Sequence, residues 1–529
     1  MRRRLPALIA AAVLVVASDL SAGCAPTSSA VITGPVASLL ASSTDLGPSR
    51  AGDAQLTVTL TGPDRPNELM AWAGARGMWV RWTPGEKWAI VEGGADDLAR
   101  AFAVPVNDYR GRKGQVFYAS PEQPSIPAAL GDVVTGVGRI MGYTPHRTKQ
   151  PDNLALDVPK GGLTPSGLLD AYNAGPLVEK GHTGKGATIV FFEFDSFDQK
   201  DLDMYADSSG LPRFTPEVIG GLPDEAHGET TMDLQVAHAI APDARLVVIN
   251  ARSTLVADGA YEKIGSMFEE ADRRFPGAVW SLSIGWSCDS FVNATDLAPV
   301  ESALARAQSH GTTAFDATGD NAGLECKGAD EWSAPPGPDD VGLDAISSLP
   351  TMTAVGATTL STGPRGQWLS EYAWFDSPLS QGTSGGVSNL FARPAWQEKL
   401  TTDRDTGRRR LSPDVAAVGD PLTGVRFIFG QNEYVGAGTS QAAPIWAALT
   451  VLMNQYLKAN GGRQLGNLNP LLYRVAAGSD LPGFRDIRLG GNAVDLSRPG
   501  YDVVTGLGSP NTYNLAQNLL KIQSQAAPE

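Results

Sequence analysis

Hydrophobic positions follow two different rhythms in two parts of the chain. Between Leu56 and about residue 140 the runs are short and mixed: LTVTLTG alternates apolar and polar residues, MWVRWT and WAIVEGG are strand-like, and NELMAWAGARG and ADDLARAFAV carry helical spacing. ALGDVVTGVGRI also reads as helical and closes this unit. Alternation places one face of a strand against a core, whereas apolar residues three and four apart line one side of a helix. A compact α+β unit over 54–145 is therefore expected. From about Thr164 to Leu520 the texture changes to long apolar or β-branched runs, ATIVFFEF, ARLVVIN, AVWSLSIGW and TTAFDAT, separated by helix-like stretches such as GETTMDLQVAHAI and APVESALARAQSH. Strands that read as continuous apolar runs are covered on both faces. The alternation predicts an α/β domain over 164–522 with a central, mainly parallel sheet, and a site at the carboxyl ends of its strands.

Residues 24–53 are rich in Ala, Ser, Thr, Gly and Pro without a periodic apolar face and read as a linker. The polar stretch HRTKQPDNLALDVPKGG, within 146–163, reads as an exposed joint of the kind where proteolytic nicking concentrates. Arg2, Arg3 and Arg4 precede the apolar run Leu5–Ala17, the layout of an export signal over 1–23. Leu20-Ser21-Ala22-Gly23-Cys24 resembles a bacterial lipobox, so membrane attachment through a lipidated Cys24 and ordinary signal cleavage stand as equal readings. In an exporting cell's oxidising compartment Cys288 and Cys326 either pair or remain two buried thiols. A formal charge of −15, from 42 Lys+Arg and 57 Asp+Glu, repels phosphate backbones and argues against nucleic acid as a partner. The basic run Arg408-Arg409-Arg410 reads as a solvated loop.

Candidate chemistry begins at Gly438-Thr439-Ser440-Gln441-Ala442-Ala443-Pro444, which leads into the long apolar helix-like run IWAALTVLMNQYL, with Pro444 expected in the first turn. A serine behind a glycine turn at a helix N-terminus lies beside unpaired backbone N–H groups and the positive end of the dipole. Those conditions suit a nucleophile whose attack creates an oxyanion. Glu229 and Asp233 stand four apart in GETTMDLQVAHAI, on one helical face. Two close carboxylates resist ionising together and share a proton, so one can serve as a base in acid, where a histidine is already charged.

These segments resemble the sedolisin family of serine-carboxyl peptidases, which has a subtilisin-like fold. GETTMDLQVAHAIAPDA resembles the family's Glu-x-x-x-Asp helix, Thr318-Gly319-Asp320-Asn321 its Ser-Gly-Asp segment, and GTSGGVSNLFARPAWQ and LSPDVAAVGDPLTGV follow in family order. The resemblance implies Ser440 as nucleophile, Glu229 as general base, Asp233 as the group that orients and tunes it, and a protonated Asp320 as oxyanion donor beside the Ser440 N–H. It implies that the N-terminal unit is an α+β (ferredoxin-like) activation propeptide, so the partners are peptide or protein substrates and the chain's own propeptide. Glu193 matches a position that extends the carboxylate network, and Ile284 stands where some members carry a tryptophan. Ser283-Ile284-Gly285 resembles the segment that pairs with substrate backbone. In the Gly- and Asn-rich C-terminal loop the resemblance implies Ca²⁺, held by the Asp486 and Asp502 carboxylates and the carbonyls of Ile487, Arg498 and Gly500. The rival enzyme reading is a neutral-pH subtilisin-type protease using Asp195, His227 and Ser440. A surface-displayed binding protein that keeps the fold without turnover is the rival from another class. Endopeptidase and tripeptidyl-peptidase action are both open.

Overall fold

The computed structural model describes residues 30–111, 114–143, 162–255, 259–327, 337–363, 366–376, 381–402, 404 and 408–525. The leader, Cys24 and nearly all of the 146–163 joint lie outside the described residues.

The strand Ala54–Leu60 buries every second residue, as its alternation predicts. Leu56, Val58 and Leu60 pack against Leu69 and Trp72 of the helix Asn67–Gly74 and Leu98 and Phe102 of the helix Ala95–Phe102. With Trp79–Arg81, Trp88–Gly93 and Val134–Val137 it forms a four-stranded antiparallel sheet, in the spatial order second, third, first, last. Two strand-helix-strand units in this order make the ferredoxin-like arrangement. The other side of the unit meets the C-terminal domain through polar groups. Arg81 pairs with Glu262, Glu86 with Arg306, and the Arg139 N–H donates to Asp296 at 3.0 Å.

Two expectations for this region fail. ALGDVVTGVGRI is not a helix: Ala128–Leu130 makes one 3-10 turn and Val134–Val137 is one of the sheet's two edge strands, because Val134 and Val137 gain partners along Ala54–Leu60 that no local propensity reveals. Nor is 24–53 a linker throughout. Pro35–Ser42 is a helix and Thr44–Pro48 a strand paired with Asn107–Arg110. Ile32, just before the helix, and Val36 and Leu40 within it are buried with Tyr109, Phe117 and Phe291, a pattern too sparse to stand out among Ala, Ser and Gly.

In the C-terminal domain the strands lie in the order Glu217–Ile219, Arg245–Asn250, Thr188–Glu193, Val279–Leu282, Thr313–Ala317, Thr353–Thr362 and Trp368–Ala373, with Val415–Val418 also paired to Thr353–Thr362. All neighbours are parallel except the final hairpin. Ile189 and Phe191 enter one core with the helices Glu229–Ile240 and Thr439–Ala459, while Val190 and Phe192 enter the other with Ala260–Arg274 and Ala298–Ser309. Burial on both faces explains the unbroken apolar runs. Cys288 and Cys326 form a disulfide. The basic run is not a solvated loop at its last member: Arg410 lies in the strand Arg409–Ser412, points inward and pairs at 2.6 Å with the fully buried Asp414. No helix among the described residues is long and apolar enough to cross a membrane.

Candidate active site

Parallel strands that end together deliver their last residues to one edge. Glu193 closes Thr188–Glu193, Ser283 follows Val279–Leu282, and Asp320 lies three residues after Thr313–Ala317. The helices Glu229–Ile240 and Thr439–Ala459 pack on the same side of the sheet and bring Glu229, Asp233 and Ser440 to that edge. Three of the four predicted residues, Glu229, Asp233 and Ser440, thus interact directly or through Ser283, and Asp320 faces Ser440 across Gly438.

Burial is the largest force on each of the three clustered carboxyls and pushes all of their pKa values well above the ordinary range. At Glu229 the charge of Asp233 adds to burial, while the nearby Ser440 hydroxyl works in the opposite direction. At Glu193 the Asp233 charge is the next cause, and at Asp233 hydrogen bonding with Ser283 and Glu193 opposes the rise. Ser440 lies close enough to hold the Glu229 pKa down, yet neither Glu229 oxygen closes a well-aligned hydrogen bond in this state. Such pairs commonly tighten when substrate arrives.

Thr439 holds Asp320 through Oδ1. Oδ1 accepts from the Thr439 N–H at 2.9 Å and from Thr439 Oγ1 at 2.8 Å, and the Asp320 carbonyl accepts from the Gly382 N–H. Oδ2 is turned the other way: a Cβ on Gly438 would lie 2.7 Å from it and 2.8 Å from Ser440 Oγ. Gly438, at φ 90°, is therefore required both by its backbone and by the space between these two oxygens.

The two bases offered by the sequence are separated by what surrounds Asp195. Its Oδ2 accepts from the main-chain N–H groups of His227 and Gly228, and its Oδ1 from the N–H of Thr230 at 3.0 Å. Asp195 thus satisfies the start of the Glu229–Ile240 helix. The His227 ring meets Glu225 at 3.2 Å. Asp195 therefore holds the main chain of His227, while the imidazole, which a subtilisin-type triad would bind to that acid, meets Glu225.

Pro444 is not in the first turn. The helix begins at Thr439, which puts Pro444 in the second turn and leaves the Ser440 carbonyl without its helical donor. Ser283 Oγ lies 3.1 Å from that carbonyl. Sequence reading missed the Ser283 hydroxyl and Thr439, although a proline four residues after the serine signals that a donor must come from elsewhere.

In the C-terminal loop the Gly500 N–H donates to Asp486 Oδ1 and Oδ2, at 3.0 and 3.1 Å, and the Arg498 N–H donates to Asp502 Oδ2 at 3.0 Å. Both carboxylates therefore close on the same short turn. Arg488 also reaches Asp486 Oδ2, at 2.6 Å.

A serine at a helix N-terminus beside buried acids, on a subtilisin-like sheet, defines a serine-type peptidase. The chain belongs to the sedolisin family of serine-carboxyl peptidases. It is 30% identical over 470 residues to kumamolisin of Bacillus sp. strain MN-32, spanning 83% of this chain and 80% of that protein. Identity to sedolisin of Pseudomonas sp. strain 101 is 26% over 453 residues, 79% of this chain and 72% of that protein. The solved structure of Pseudomonas sedolisin complexed with pseudo-iodotyrostatin superposes with a TM-score of 0.55 at 23% identity, covering 67% of this chain and 97% of that one. Residues 57–142 match the Pro-kumamolisin activation domain. The chain is thus a peptidase zymogen with its own activation propeptide.

Proposed function

We propose that the protein is exported and hydrolyses peptide bonds at acidic pH through an acyl-enzyme on Ser440. Glu229 takes the Ser440 proton as Oγ attacks the substrate carbonyl, and returns it to the leaving amine. Asp233 shares the proton burden of the cluster and keeps Glu229 oriented. The oxyanion forms between the Ser440 N–H and a protonated Asp320 Oδ2, since an ionised carboxylate there would repel the developing charge. Water then repeats the sequence on the acyl-enzyme, with Glu229 as its base. The observation that carries this reading is the buried acid cluster on Ser440, with His227 directed elsewhere. The same contacts count against the binding-protein reading, because a buried cluster of acids costs stability and its pairing with a serine hydroxyl suits turnover.

The C-terminal loop suits calcium. Two carboxylates converge on one turn, a hard-oxygen donor set, and the carbonyls of Ile487, Arg498 and Gly500 belong to the segments they join. Bound there, calcium would neutralise the acids and tie the two segments together. Export rests on the leader, with Cys24 lipidation and plain secretion both open.

Zymogen shifted to about pH 4, near ordinary carboxyl pKa values, is expected to cleave itself between roughly residues 145 and 165. The measurement is the N-terminal sequence of the product. Cleavage there by a Ser440→Ala protein in acid would refute autocatalysis.

A further inference from the structure

The contacts of Ser283 constrain where one proton sits. Its Oγ lies 3.1 Å from the Ser440 carbonyl oxygen and 2.5 Å from Asp233 Oδ2, with all three residues buried. In an unbroken helix residue 444 would supply the N–H for that carbonyl, but Pro444 has none. A hydroxyl has one hydrogen to donate. The Ser440 carbonyl cannot carry a proton, so both contacts are hydrogen bonds only if Asp233 donates to Ser283 and Ser283 passes its own hydrogen to the carbonyl. An ionised Asp233 would compete for that same hydrogen and weaken the hold of Ser283 on the carbonyl of the nucleophile.

We propose that Ser283 is a positioning residue that couples the protonated form of Asp233 to the main chain of Ser440, holding the nucleophile in place while Asp233 keeps its proton. This rests on the assignment of Ser440 and Glu229 above. The acids facing Asp233 are Glu193 at the end of its strand, Asp195 just beyond, and Glu229 one turn earlier on its own helix. Burial, the largest force on Asp233, and the charge of Asp195 favour its neutral form, while the Glu193 hydrogen bond works the other way. Acid would therefore not only supply the proton of the cluster but also set the geometry of the serine.

The test compares Ser283→Ala, Ser283→Thr and Ser283→Ala/Pro444→Ala in acid-activated protein. Ser283→Ala is expected to lower kcat about ten- to a hundredfold, the range for one buried hydrogen bond, with KM within about twofold. Ser283→Thr keeps the hydroxyl and should recover most of the loss. Pro444→Ala returns a helical N–H to the Ser440 carbonyl, so the double variant should recover part of it. The alkaline limb of kcat should move to lower pH in Ser283→Ala, because neutral Asp233 has lost its acceptor. A limb that stays in place or moves to higher pH overturns the proposal, as does a kcat in both the Thr and double variants no better than in Ser283→Ala. If Ser283→Ala does not fold, infrared spectra of the Ser440→Ala zymogen decide: adding Asp233→Asn should remove one protonated-carboxyl band near pH 5, and an unchanged band refutes the protonated Asp233. Failure of the base assignment would show separately, as activity retained in Glu229→Gln.

Discussion

Asp233 and Asp502 are both buried acids of the same domain whose pKa values rise, yet their surroundings oppose that rise to different extents. Asp502 Oδ1 receives the N–H groups of Val504 and Thr505, at 2.9 and 2.8 Å, and Oδ2 that of Arg498. Burial raises its pKa, but those main-chain donors hold it to about 6. Asp233 has the Ser283 hydroxyl and another carboxyl instead, with Asp195 pushing the same way as burial, and its pKa rises well above the usual range. Fixed N–H donors stabilise the charged form, whereas neighbouring acids stabilise the neutral one. The first arrangement suits the proposed cation site and the second the proposed proton transfer.

The largest expected effect breaks the proton-transfer side of this contrast. Glu229→Gln preserves size and hydrogen-bonding reach but cannot accept the serine proton, so kcat/KM should fall by about 10⁴-fold or more. His227→Ala should keep most activity, and the wild-type optimum should lie in acid. Peptide hydrolysis that peaks above pH 7 and vanishes with His227→Ala would instead establish the subtilisin-type mechanism. Next comes Gly438→Ala, whose methyl would enter the space between Asp320 Oδ2 and Ser440 Oγ. Loss of oxyanion stabilisation predicts a fall of roughly a hundredfold or more in kcat, measured with the Tm to separate catalysis from folding.

The cation side is broken more gently. Removing calcium should lower the Tm by several degrees through loss of mass-action stabilisation. In Asp502→Asn the Tm should no longer respond to chelator, and an unchanged response would move the ion elsewhere. The smallest effect sharpens the comparison with a base in place of an acid. His238, on the same helix as Glu229, stacks on Phe214 and bonds the Pro212 carbonyl at 2.7 Å, and burial lowers its pKa to about 4. Its folded value lies below the unfolded value of about 6.5, so folding resists its protonation and stability falls as pH drops from about 6.5 towards 4, by up to roughly 3 kcal/mol. His238→Gln should narrow the Tm difference between pH 7 and pH 4, and an unchanged difference would mean that His238 does not limit acid stability.

The sequence by itself determined the fold class and the chemical alphabet. Unbroken apolar strands require a sheet covered on both sides, alternation at 54–60 requires one buried face, and i, i+4 spacing requires Glu229 and Asp233 to share a helical face. These are local consequences of backbone geometry, so they were legible along the chain. Tertiary structure decided everything that depended on residues distant in sequence. The Val134–Val137 strand acquired its identity from Ala54–Leu60, and Ile32, Val36 and Leu40 acquired a core only from Tyr109, Phe117 and Phe291. Asp195 was a triad candidate by order, but its position at a helix start gives its oxygens to main-chain N–H groups. Ser283, 157 residues from Ser440 in sequence, reaches the carbonyl that Pro444 leaves open. Periodicity encodes which face a side chain occupies, but a hydrogen-bond partner is set by how separate elements pack, and no pattern within one element carries that information.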